Sequence, residues 1–211
     1  MKKLGIAKVL LSILSLLNVD CINAQSNEDR YYSAIQLHRQ QYKEGFTGHP
    51  RSPVSAADTG LIDFFLPNKD WELPAKFILT PESKAFDLPS YSGKTSKYRQ
   101  YGKLNMEYQG TEFSLSIYQN LSLMKDAAFQ NYLFLPFTDL TNGESTYEGG
   151  RYLDFSIGDI QDGILRIDFN ICYNPYCAYS DGYSCPVPPA ENRLKLEISA
   201  GEKKFRKPKQ H

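Results

Sequence analysis

Short stretches in which apolar and polar residues alternate follow one another along most of the chain, and this pattern predicts β-strands. The clearest case is a hairpin with a two-residue turn at residues 109–110. That turn places Met106 opposite Phe113, and Leu104 then lies opposite Leu115. The apolar side chains of both strands share one face, so the register agrees with the hydrophobic pattern.

Short apolar runs, limited by Pro67 and Pro81, predict strands over residues 61–66 and 76–79. Further strands are predicted over residues 152–157, 165–171 and 194–199. A different spacing, typical of a helix, occurs once, over residues 27–43. Short strands separated by turns, with a single good helix, favour a mostly β domain. We expect an antiparallel sandwich or a partly closed barrel with one N-terminal helix.

The first 24 residues have the three parts of a cleavable secretory signal. Lys2 and Lys3 give a basic start, an apolar stretch follows, and a small residue, Ala24, ends it. We therefore predict a signal peptide over residues 1–24, a single globular domain over residues 25–211, and export to the periplasm or beyond. An uncleaved anchor is less favoured because the apolar stretch is short and interrupted, and lipidation at Cys21 is disfavoured by the neighbouring Asp20.

Composition excludes several kinds of partner. The 24 basic residues balance the 24 acidic residues, so charge gives no argument for nucleic acid or for an anionic membrane surface. We expect no stable membrane span after cleavage of the signal. No phosphate loop, dinucleotide fingerprint or zinc-protease motif occurs in the sequence, so we expect neither a cofactor nor a metal. The oligomeric state is left open.

The stretch richest in motifs runs from residue 134 to residue 192, and with a segment near the end of the chain it gives a recognisable set of five segments. They are Pro-Phe-Thr-Asp-Leu-Thr-Asn-Gly at 136–143, Gly-Gly-Arg-Tyr at 149–152, Asn-Pro-Tyr-Cys-Ala-Tyr at 174–179, Cys-Pro-Val-Pro-Pro-Ala-Glu-Asn-Arg-Leu at 185–194 and Ala-Gly-Glu-Lys at 200–203. In these segments the chain resembles the bacterial family known as domain of unknown function 1684. The resemblance implies a shared fold over nearly all of the chain after residue 24. It implies no reaction and no catalytic residue.

Residue chemistry suggests where a ligand would bind. Arg166, Asp168 and Asn170 share one face of a predicted strand, and Arg151 follows two glycines that allow a tight turn. An arginine beside free backbone amides is suited to holding a carboxylate or phosphate. We predict a polar pocket in the 139–179 region. Its lining residues are Asp139, Arg151, Asp168, Asn170, Asn174 and Tyr179.

Three functions remain open for such a pocket. The favoured one is binding of a small polar ligand. Its enzymatic form is a hydrolase without a cofactor, in which two acids such as Asp139 and Asp168 serve as general acid and general base. The alternative is a non-enzymatic structural or interaction protein of the cell envelope, in which the motifs only specify turns.

Three cysteines follow the predicted signal peptide. Cys177 and Cys185 lie in the family-like segments on either side of a turn at residues 181–182, and in an oxidising compartment they are expected to form a disulfide. Cys172 then stays free. Cys177 as a nucleophile is less favoured because no histidine lies in a motif beside it, and a three-cysteine metal site lacks an evident fourth ligand.

Overall fold

A computed structural model describes residues 27–48 and 50–207. The predicted signal peptide, with Cys21, lies outside the described residues. Helix α1 spans residues 27–44, close to the predicted 27–43. The chain divides into two compact units between Gln41 and Tyr42, and the contacts analysed below lie within the second unit. No helix among the described residues combines the length and apolar character needed to span a bilayer.

The second unit is built on a sheet of seven antiparallel strands that curls into a half-barrel. The strands are β1 (Glu72–Leu79), β2 (Phe86–Pro89), β3 (Thr95–Tyr108), β4 (Thr111–Asn120), β5 (Tyr132–Phe137), β6 (Arg151–Ser156) and β7 (Ile164–Asp168). Their order across the sheet is β6-β5-β4-β3-β1-β7, and β2 pairs with β3. The predicted mostly β class with one N-terminal helix is therefore confirmed.

The predicted hairpin is the connection between β3 and β4. Met106 pairs with Phe113 and Leu104 pairs with Leu115, so the register inferred from the apolar pattern is confirmed. Gln109 and Gly110 both have positive φ, 48° and 77°. Such a turn twists in the same sense as the strands that it joins.

The alternation of side chains gives the sheet two differently filled faces. One face carries the main aliphatic core, in which Leu104, Leu135 and Ile167 are completely buried. Each such side chain stabilises the fold by about 1.5–3 kcal/mol relative to an exposed one. The opposite face of β3–β6 carries a separate aromatic cluster, formed by Tyr98, Tyr118, Phe134 and Tyr152 with Leu88.

Three predicted strands differ from the structure. The stretch 165–171 forms β7 only as far as Asp168, because the Asp168 side chain accepts the Asn170 N–H at 2.9 Å and starts a 3-10 turn. Residues 61–66 form no strand beyond a single bridge at Phe64. Residues 194–199 form none either: Leu194 and Leu196 bond to the backbone of Thr138 and Leu140, but the backbone oxygen of Ile198 accepts from the Arg151 side chain.

A side-chain amide completes the sheet between β4 and β5. Tyr118 pairs with Phe134, so the same register places Ser116 opposite Pro136, which has no N–H to donate. Asn192, completely buried, takes over this pairing. Its Oδ1 accepts from the Ser116 N–H at 2.7 Å, and its Nδ2 donates to the carbonyls of Ser116 at 2.8 Å and Pro136 at 2.7 Å.

Candidate functional site

Two of the predicted site residues, Arg151 and Asp139, form a completely buried ion pair. Arg151 Nη2 lies 2.7 Å from Asp139 Oδ2, and neither side chain is exposed to solvent. The same guanidinium donates to the backbone oxygens of Ile198, at 2.9 Å, and Ala200. Arg151 therefore holds residues 198–200 against the sheet, and its charge is neutralised inside the protein.

The glycines before Arg151 allow the close packing that this pair requires. Gly150 has φ of +91°, and a Cβ there would come within 2.5 Å of the Phe137 carbonyl oxygen and 2.8 Å of Pro188 Cγ. Only glycine fits such a position without displacing the backbone. The Gly-Gly-Arg sequence thus lets the chain cross close to the end of β5 and then point Arg151 inward.

Two more predicted residues, Asn174 and Tyr179, meet at a buried carboxylate that sequence reasoning did not single out. Glu202 Oε2 accepts from the Asn174 N–H at 2.8 Å, and Oε1 accepts from the Tyr179 hydroxyl at 2.5 Å. The Tyr42 hydroxyl also donates to Oε2 at 3.0 Å. Glu202 is completely buried, and burial raises its pKa to about 7, although the hydrogen bonds from Asn174, Tyr179 and Tyr42 act in the opposite direction.

Glu202 is expected to make stability depend on pH near neutrality. Its pKa in the folded protein, about 7, exceeds its value in the unfolded chain, so the folded state binds the proton more tightly and this stabilisation is lost as pH rises through 7. We expect wild type to lose roughly 3 kcal/mol of unfolding free energy between pH 4.5 and 8 relative to Glu202→Gln. Urea unfolding of both proteins across this range measures the effect, and superimposable pH profiles would contradict it.

The remaining predicted pair, Asp168 and Asn170, belongs to a separate group. Asp168 Oδ1 accepts from the Asn170 side chain at 2.8 Å. Asn170 in turn accepts the Asn68 N–H at 2.9 Å and donates to the Asn68 carbonyl at 2.7 Å. The structure thus divides the six predicted residues among three groups, and a ligand-binding role for them stays a prediction.

The cysteines are arranged as the sequence suggested. Cys177 and Cys185 form a disulfide. Cys172 is free and completely buried, and burial raises the pKa of its thiol to about 11, so the nucleophilic thiolate is scarce at neutral pH. Among residues 27–48 and 50–207, no three or more His, Cys, Asp or Glu side chains are grouped so that they could hold a metal ion.

A different carboxylate, Asp154, is exposed on the aromatic face of the sheet. Tyr132 donates its hydroxyl to Asp154 Oδ1, and Tyr173 donates its hydroxyl to Oδ2, each at 2.6 Å. We call these three residues the Asp154 site. Surrounding protein atoms raise the pKa of Asp154 by removing water from it, although the two tyrosine hydrogen bonds act in the opposite direction.

The strand register explains how the Asp154 site is assembled. Asp154 lies on β6 directly opposite Phe134 of β5, and Tyr132, two residues before Phe134, projects from the same face. On the other side of β6, Tyr173 pairs with Tyr152 through two backbone hydrogen bonds of 2.9 and 3.1 Å. Two tyrosines therefore reach Asp154 from the two sides of its strand.

Sequence reasoning missed Glu202 and Asp154, and it also missed Tyr42, Tyr132 and Tyr173, which bind them. The pattern did place Asp154 on the polar side of a strand, where aspartate is an unfavourable residue. That mismatch between residue and strand was a usable signal. For Glu202 the signal was weaker, because nothing near residue 202 indicates that the carboxylate is buried.

Comparison with known proteins supports the fold and leaves the activity open. An uncharacterized protein of Haloarcula marismortui, whose structure was solved by solution NMR, superposes with a TM-score of 0.64 at 29% sequence identity, covering 84% of this chain and 96% of that protein. A search of curated proteins finds no match. The family model described as "Protein of unknown function (DUF1684)" matches residues 59–203. The chain therefore belongs to the DUF1684 family.

Proposed function

We propose that the protein binds a small polar ligand in the 139–179 region, at the Asp154 site. The observation that carries this proposal is the carboxylate of an exposed residue, Asp154, held in a fixed orientation by two tyrosine hydroxyls at 2.6 Å. We further propose that the chain reaches the periplasm or the exterior through the signal peptide predicted over residues 1–24.

The contrast with Asp139 supports a binding role. Asp139 is paired with Arg151 and closed off from solvent, as expected of a structural group. Asp154 is open to solvent, and none of the ion pairs among the described residues includes it. A carboxylate that is partly desolvated and lacks a cation costs stability, and groups with perturbed pKa values are concentrated at functional sites.

A thermal-shift screen tests this proposal. We expect at least one compound from a set of sugars, amino acids, organic acids and amines to raise the melting temperature of wild type. At 100 times Kd the stabilisation is about 2.7 kcal/mol, which corresponds to roughly 5–10 °C for a chain of this size. Asp154→Asn is expected to abolish the shift. Asp87→Asn, which changes an exposed carboxylate on β2, is the matched control and is expected to keep it.

The competing proposal is a structural or interaction protein of the cell envelope without enzymatic activity. It is supported by the burial of Asp139, Arg151 and Asn174, whose polar atoms bond mainly to the protein itself. If no compound shifts the wild type and Asp154→Asn alters only stability, this second function is preferred. A shift that survives in Asp154→Asn would move the ligand to another site.

A further inference from the structure

We propose that the ligand of the Asp154 site is an organic cation, an amine carrying methyl or methylene groups around its positive nitrogen. This inference rests on the function proposed above and specifies the chemistry of the ligand. Three properties of the site carry it: the sign of its charge, the direction of its hydrogen bonds and the aromatic rings around it.

The charge at the site is negative and unbalanced. In the part of the chain that the structure describes, Asp154 has no lysine, arginine or histidine within ion-pair distance. Both of its oxygens accept charge-assisted hydrogen bonds, at 2.6 Å each, and this geometry stabilises the ionised form. A ligand that complements this group carries positive charge.

The hydrogen-bond directions disfavour anions. The hydroxyls of Tyr132 and Tyr173 point their protons at Asp154, so neither proton is available to a ligand. Each carboxylate oxygen keeps further lone pairs, because an ionised carboxyl group accepts about four hydrogen bonds. The site therefore offers acceptors, which a protonated amine can use and a carboxylate or phosphate cannot.

The rings around Asp154 are suited to a cation. Ring centroids lie 4.8 Å apart for Phe134 and Tyr152 and 6.0 Å apart for Tyr152 and Tyr173, both in edge-to-face geometry. Phe134 and Tyr152 are buried, whereas Tyr132 and Tyr173 are half-buried, so the latter two rings are the ones that a ligand would contact. Aromatic faces attract cations, and alkylated ammonium groups are bound in this way because they are weakly hydrated.

An NMR titration separates charge from shape. The probes are choline and 3,3-dimethylbutan-1-ol, its uncharged carbon analogue, with tetramethylammonium and methylammonium as further cations. We expect the cations to produce saturable shifts at the amides of β5, β6 and residue 173, and the neutral analogue to bind at least tenfold more weakly. Asp154→Asn and Tyr173→Leu are each expected to weaken choline binding at least tenfold.

Two variants keep the interpretation free of folding effects. Tyr173→Phe retains the ring and removes one hydroxyl, so it is expected to weaken choline binding less than Tyr173→Leu does. Asp87→Asn is the control for a general loss of negative charge. Each variant is compared with wild type by circular dichroism and thermal melting before titration.

The outcomes distinguish the ligand class from the function itself. Equal binding of choline and its neutral analogue, or no saturable shift with any of the cations, overturns the cationic class. If sugars or other neutral compounds then shift the same amides, the Asp154 site still binds a small polar ligand and the proposed function stands. If they do not, both proposals fail.

Discussion

Replacing Arg151 with methionine is expected to lower the free energy of unfolding by about 3–5 kcal/mol. The change leaves the Asp139 carboxylate in a place without solvent access, where an unpaired charge is strongly unfavourable. It also removes the donors that bind the carbonyls of Ile198 and Ala200. Urea unfolding at pH 7 measures the loss, which is large compared with a total stability of about 5–15 kcal/mol.

The exposed pair of Lys97 and Asp87 is the matched control. It has nearly the same separation, 2.8 Å, but its side chains are 58% and 54% exposed, so Lys97→Met is expected to cost about 0–1 kcal/mol. The double variant Arg151→Met with Asp139→Leu is expected to recover part of the loss, because it removes the unpaired charge. Equal losses of unfolding free energy in Arg151→Met and Lys97→Met would contradict a structural role for the buried pair.

Replacing Asn192 with leucine is expected to cost about 3–5 kcal/mol of unfolding free energy. Leucine has a similar shape but leaves the buried N–H and C=O of Ser116 and the C=O of Pro136 without the partners that Asn192 provides. Each unsatisfied buried group costs about 1–3 kcal/mol. Hydrogen exchange of the Ser116 amide offers a second measurement, since this N–H is expected to lose its protection.

A second asparagine provides the control for Asn192. Asn68 is exposed and its side chain accepts a single backbone hydrogen bond, from Asp70, at 2.9 Å. Asn68→Ala is therefore expected to cost about 1 kcal/mol, as for other helix caps. If Asn192→Leu costs no more than this, β4 and β5 are held together without the amide.

The sequence predicts the parts of this fold that depend on neighbouring residues. The β3–β4 hairpin is an example, because a two-residue turn and strict alternation together allow one register. Strand β6 was predicted for the same reason. The stretch 194–199 was predicted wrongly. Its alternation is real and Leu194 and Leu196 bond to the backbone of Thr138 and Leu140, but the oxygen of Ile198 bonds to the Arg151 side chain, 47 positions away. Alternation alone does not specify what a backbone oxygen bonds to.

The candidate sites, too, depend on contacts between residues far apart in sequence, which local patterns do not specify. Asn174 and Tyr179 lie in one short segment of the predicted pocket, but the Glu202 carboxylate that joins them lies 28 and 23 positions away. Its burial depends on a sheet that the local pattern does not describe. The Asp154 site was missed because it requires the register between β5 and β6 together with the bridge at Tyr173. The alternation of β6 was evident from the sequence, whereas the β5–β6 register and the Tyr173 bridge were not.

Residues 198–202 also constrain the order in which the molecule can fold. The carbonyl partners of Arg151 lie 47 and 49 positions further along the chain, and Glu202, to which Tyr42 donates a hydrogen bond, lies 160 positions after Tyr42. Because a ribosome releases the chain from its N-terminal end, these polar groups lack their partners until synthesis has passed residue 202. The buried polar contacts are therefore completed only after this segment has been translated. Contacts between residues so far apart in sequence predict slow folding.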